Sequence, residues 1–246
     1  MGSSYWLAEV LLALAALLVA NQYWRVSRER FQSQALLIVA GCLCLALAAL
    51  VGAYRYGIDP HITVLHRALS QLSGFLTFAC FGLALLWSYF FPGISGGSRA
   101  PAYVALVLLT GSALAALASG LLPAAAVRTI WSSVGLAAWL LVALVELVRR
   151  HRLSRSEALV LALGPLLIVN ASMVIGTGPA KLLGLARMNW FHLLLALGAL
   201  TLLWGRPLFS TAKPCKGKPS KRKPSKAKPS TGNDGSGTQE RQHGAD

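Results

Sequence analysis

Seven runs of mostly apolar residues punctuate the first 205 residues of this chain, at about 5–24, 35–54, 67–89, 102–122, 127–148, 157–177 and 189–205. A helix needs about 20 such residues to cross the hydrocarbon core of a bilayer. The first six runs reach that length. The seventh is shorter but is framed by Trp190 and Trp204, and aromatic ends suit the headgroup zone. Helix-breaking residues separate the runs: Pro92-Gly93 with Gly96-Gly97, Pro123, Gly178-Pro179 and Pro207. The expected fold is therefore all-α, a bundle of seven transmembrane helices. The balance of residues agrees. Only 13% are charged and 55% are hydrophobic, yet the formal net charge is +15. A soluble domain carries about 25% charged residues, so a soluble enzyme and an ordinary disordered chain are both excluded.

The positive charge is placed unevenly. Arg25, Arg28 and Arg30 follow the first run, Arg99 the third, and Arg149, Arg150, Arg152 and Arg155 the fifth. The other side of the bundle receives Arg55, Arg67, Arg128, Lys181 and Arg187. Lys and Arg collect in cytoplasmic loops. The expected topology thus has the N-terminus outside and the C-terminus cytoplasmic, with the first run retained as an anchor because no basic residue precedes it. The Ala/Leu/Arg-rich composition suits a bacterial inner membrane.

Residues 206–246 form a second region. Between Lys213 and Lys228 basic residues recur without an acidic one, in the repeat Lys218-Pro219-Ser220, Lys223-Pro224-Ser225, Lys228-Pro229-Ser230. Regular prolines and self-repelling charge give an extended, disordered tail. Residues 213–228 are suited to anionic lipid headgroups on the cytoplasmic leaflet, against the simpler role of a topogenic, solubilising tail. No aromatic residue interleaves the lysines, so no stacking surface is offered to a nucleic acid. The oligomeric state is left open.

Polar residues inside apolar spans are costly and mark candidate sites. In the third span His66, Ser70, Ser73, Thr77 and Cys80 follow one helical face, with Leu72, Phe75, Ala79 and Leu86 opposite. Asn189 and His192 open the seventh span on one face; Arg128 opens the fifth and aligns with Ser132 and Gly135; Asn170 and Thr177 lie in the sixth; Asp59 and His61 precede the third. The topology puts His66, His192, Arg128, Thr177 and Asn189 toward the outer side at similar depth, the best candidate for a site. The competing account is that Ser and Thr bond the preceding backbone turn or glue helices together. Other polar and small residues have local explanations. Glu9 is expected near the outer headgroups, Glu146 beside Arg149 or Arg150, and Pro165 at a kink. Gly111, Ala115, Ala118 and Ser119 are expected to pack the fourth span closely. Cys42, Cys44, Cys80 and Cys215 form no disulfide framework.

The stretches His61-Ile62-Thr63 with Gln71-Leu72-Ser73, and Asn189-Trp190-Phe191-His192 leading into Leu193, set within seven spans, resemble the alkaline ceramidase and progestin-receptor-like superfamily of membrane hydrolases. That resemblance implies a zinc-activated water cleaving a lipid amide or ester, with Asp59 and Ser73 assisting. His61 and His66 follow the second span, however, and Met188 stands one turn before the single His of the seventh. On chemistry alone, His66, His192 and one of His61 or Asp59 supply three zinc ligands if the loop folds over the third span. Alternatively His66 and His192 are axial ligands of haem b. Retinal is disfavoured by the lack of Lys in the seventh span, and a nucleotide-driven pump by the lack of a phosphate loop. Two function classes remain: a metal-dependent lipid hydrolase, and a non-enzymatic membrane sensor or scaffold acting through its tail.

Overall fold

The computed structural model describes residues 5–30, 32–92, 98–121, 123–178 and 180–209. Among them are seven helices long and apolar enough to cross a membrane: α1 (Tyr5–Arg30), α2 (Ala35–Gly57), α3 (Thr63–Phe90), α4 (Ala100–Ala118), α5 (Ala124–Arg149), α6 (Arg155–Asn170) and α7 (Arg187–Leu200). Two of these spans continue in other helical forms. α6 runs on through a π-turn at Ala171–Ile175, and α7 tightens into 3-10 geometry through Thr201–Phe209, beyond the expected end at 205. The fold is an all-α seven-helix bundle of a multi-pass membrane protein. Large apolar side chains such as Leu14, Leu43, Leu141 and Leu197 stay exposed on its flanks, a surface that hydrocarbon, unlike water, accommodates. The basic tail expected over 206–246 lies outside the described residues from 210 onward.

Packing is organised by a few close approaches. α3 and α5 cross where glycine meets glycine: a Cβ on Gly82 would overlap the Gly135 carbonyl, and one on Gly135 the Phe78 carbonyl. Bare backbone here allows tight contact. Pro165 sits inside α6. It has no N–H to offer the carbonyl four residues back, and the indole Nε1–H of Trp139 donates to that carbonyl, on Leu161, at 3.0 Å instead. Trp139 is fully buried, so α5 repairs a defect in α6 while packing against it. On α1, the Tyr23 hydroxyl donates to the Leu202 carbonyl at 2.6 Å, tying the first span to the end of the last.

Two expectations need correction. α4 is the least embedded helix; only Ala102 and Ala113 are buried along it, and Gly111 has open space where a Cβ would stand. Its small residues therefore do not mediate close packing, because no helix approaches that face. Glu146 is fully buried and does not pair with Arg149 or Arg150, which are exposed. Its Oε2 instead accepts the backbone N–H groups of Arg152 and Leu153, each at 3.0 Å. Arg152 in turn donates to the carbonyls of Ser88 and Leu208. On α3, Phe75 and Ala79, opposite the polar stripe, are buried as well.

Candidate functional site

At the end of the bundle where α1, α3, α5 and α7 begin, three ionisable side chains converge. Glu9 comes from the second turn of α1. It is 2% exposed, so it lies inside the bundle. Its Oε1 is 3.5 Å from His192 Nε2 and 3.8 Å from His66 Nε2. Room for this meeting comes from α2, where a Cβ on Gly52 would stand 2.5 Å from Glu9 Oε1 and 2.9 Å from His66 Nε2. Glycine at 52 is thus a requirement of the site rather than of the backbone.

Local structure fixes each histidine. Ahead of α3, Asp59 Oδ1 accepts the His61 N–H at 2.8 Å and caps a 3-10 turn at Pro60–Ile62. The Thr63 hydroxyl donates to the Pro60 carbonyl. These bonds set where α3 starts and hence which way His66 faces. Ahead of α7, Lys181–Leu182 and Leu185–Ala186 form a two-residue hairpin. Its turn residues, Leu183 and Gly184, both have positive φ, the combination required by the tightest hairpin turn. Trp190 Nε1–H donates to the Leu182 carbonyl and Arg187 to the Val174 carbonyl, which anchors the start of α7 to the end of the sixth span. His192 follows, 7% exposed.

The electrostatics of His66 decide what it does. Arg55 Nη1 lies 3.2 Å from His66 Nδ1. A guanidinium only donates, so Nδ1 must accept and the ring proton sits on Nε2. That Nε2–H faces Ser70 Oγ at 3.3 Å and the Glu9 carboxylate. Ser70 and His66 therefore do not make a nucleophile–base pair, in which Nε2 must take the serine's proton. The same proton blocks the lone pair that a zinc ion would need, and Arg55 adds a positive charge against the ring. Among the described residues no group of three or more His, Cys, Asp and Glu is arranged to hold a metal ion. Haem meets a related obstacle. Both Nε2 atoms are turned to Glu9, so an iron between them would have to displace the carboxylate. The residues present fit neither group. On His192, Nδ1 is buried without a hydrogen-bond partner among the described residues.

The cluster opens into a cavity of about 680 Å³ lined by residues of every spanning segment except α4. This volume falls in the range of about 300–1,000 Å³ typical of small-molecule sites. Of the residues singled out from sequence, His66, Ser70, Ser73, Arg128, Thr177 and His192 line it. Thr77 does not; its hydroxyl bonds Ser73 and donates to the Gly41 carbonyl, gluing α3 to α2. Asn189 is buried beside the site without lining it, while Asn170 and His61 are exposed. Asp59 is a cap. Glu9, Gly52, Arg55 and Arg67 were missed. A carboxylate within an apolar run is a functional candidate by default, and that signal alone would have found Glu9.

No family model matches the chain, and neither a curated protein nor a solved structure is similar to it at a significant level.

Proposed function

We propose that this protein, with its N-terminus outside, holds a small amphipathic molecule between its helices, with the molecule's polar end toward the Glu9–His66–His192 end of the cavity. One observation carries the proposal: a ligand-sized cavity converges on an intramembrane carboxylate and two histidines. Ionisable groups at such depth are expensive, and function is the usual reason for keeping them. The distribution of lysine and arginine, 18 of the 23 on the other side once the ten beyond residue 205 are included, supports the orientation. Zinc-dependent hydrolysis finds no support in the geometry of His66.

Binding tests this directly. Radiolabelled dodecyl-chain probes (dodecanol, dodecanoate, dodecyl phosphate and dodecylammonium) are titrated against the full chain in phosphatidylcholine nanodiscs, with empty discs subtracted. At least one probe is expected to bind saturably near one per chain. Ser133 lines the cavity from an exposed position on α5, so Ser133→Trp fills the space without touching the core. It is expected to weaken that probe by about tenfold or more. Saturable binding that ignores Ser133→Trp, or none for any probe, contradicts the proposal.

A further inference from the structure

From the charges in the cavity wall, we infer that the ligand is an amphiphile with an anionic head, a carboxylate or a phosphate monoester, bound by Arg67 and Arg128. The inference rests on the cavity reading above and specifies its ligand. Three arginines, Arg55, Arg67 and Arg128, line the space against a single carboxylate, Glu9. The three are not equivalent. Arg55 is committed: it donates to His66 Nδ1, lies 3.3 Å from the Tyr56 hydroxyl and sits over the Tyr56 ring. Glu9 is occupied by the two histidines. Arg67 and Arg128 are exposed residues with no acceptor among the described residues, and both line the cavity.

The placement of Arg128 is built. Its side chain crosses α3 at Gly74, where a Cβ would stand 2.6 Å from Arg128 Cδ. One turn further along α5, Ser132 Oγ–H donates to the Gly74 carbonyl at 2.6 Å. The missing side chain at 74 therefore gives the arginine its path along the cavity. Two unpaired guanidiniums beside low-dielectric walls favour an anion, and their planar forks suit a carboxylate or phosphate.

The rest of the cavity supplies the other half of the ligand. Leu136 lies about 12 Å further along α5 than Arg128, at about 1.5 Å per residue. Leu12, Leu45 and Ile168 line the cavity from α1, α2 and α6. An apolar chain fits against these side chains once the head is held by Arg67 and Arg128. The portion next to the head then lies beside Glu9, His66 and His192.

The same four probes separate head from tail. Dodecanoate and dodecyl phosphate are expected to bind the wild-type chain in nanodiscs about tenfold or more tightly than dodecanol or dodecylammonium, and the tighter of the two identifies the head. Arg128→Gln and Arg67→Gln are each expected to weaken the anions by about tenfold and to leave dodecanol within twofold or so of wild type. The unchanged dodecanol affinity shows that the variants are folded. If dodecanol or dodecylammonium binds as tightly as the anions, the inference falls while the cavity reading stands. Anion binding that is indifferent to both arginine substitutions overturns it equally. No saturable binding by any probe overturns both.

Discussion

Gly135→Leu is expected to prevent or severely weaken folding, while Gly111→Leu is expected to be tolerated. Both place the same side chain on a glycine within a membrane span. At Gly135 the first added atom meets the Phe78 carbonyl and lies 2.5 Å from the Ala79 nitrogen. These are backbone atoms of a packed helix, and they cannot turn aside as a flexible side chain would. Relief requires α3 and α5 to separate, which also breaks the Ser132 bond to Gly74 and disturbs Trp139 on α5, whose indole satisfies the carbonyl freed by Pro165. Overpacking by a few methylenes costs about 1–3 kcal/mol even where side chains adjust, so the loss here is expected to exceed about 3 kcal/mol. At Gly111 nothing stands within 4 Å, and a leucine adds one more apolar contact with lipid. Thermal unfolding of the two variants in one detergent makes the comparison. Equal stability would contradict the close α3–α5 crossing.

The second large effect is expected at the end of the bundle away from the cavity. Glu146→Ala removes a fully buried acceptor and leaves the N–H groups of Arg152 and Leu153 without their partner. Each buried donor left unpaired costs about 1–3 kcal/mol, so a loss of about 2–5 kcal/mol is expected. Glu146→Gln keeps an acceptor oxygen at the same reach and should lose distinctly less. Denaturant titration of the two variants checks the order. A result in which alanine and glutamine are equivalent would mean that Glu146 does not cap this loop. The Arg152 contacts to Ser88 and Leu208 depend on the same loop, so the damage is expected to reach the ends of α3 and of the last span.

The helices were legible because a membrane span announces itself through length and apolarity, both of which are properties of contiguous sequence. Which face of a span meets which neighbour is not such a property. Gly82, Gly135 and Gly111 look alike in sequence, and only the position of α3, α5 and α4 separates a crossing point from an open flank. Gly111, Ala115, Ala118 and Ser119 of α4 suggested close packing, and all four are exposed. Proximity in sequence misled in the same way at Asp59 and His61, which adjoin the third span but serve as a cap and an exposed turn residue. The polar stripe of α3 was readable, and it divides: His66, Ser70 and Ser73 reach the cavity, whereas Thr77 bonds α2. Glu9 was passed over because an acid close to a chain start resembles an interfacial residue. Its burial depends on Gly52, and nothing local in the sequence connects the two. The hairpin that orients α7 was invisible too, since Leu183 adopts a positive φ that leucine rarely takes.

The central claim is that one end of the bundle contains a water-accessible chamber between its helices. Thiol reactivity measures this most directly, because the attacking species is the thiolate, which needs water. In a chain whose own cysteines are replaced by alanine, Ser133→Cys is compared with Val134→Cys, at the same depth on that helix but on a different face and outside the cavity. The account predicts that a water-soluble methanethiosulfonate labels the first at least about tenfold faster in nanodiscs, and that Ser70→Cys, across the cavity on α3, reacts at a rate close to that of Ser133→Cys. Labelling of Ser133→Cys and Ser70→Cys as slow as that of Val134→Cys would contradict it.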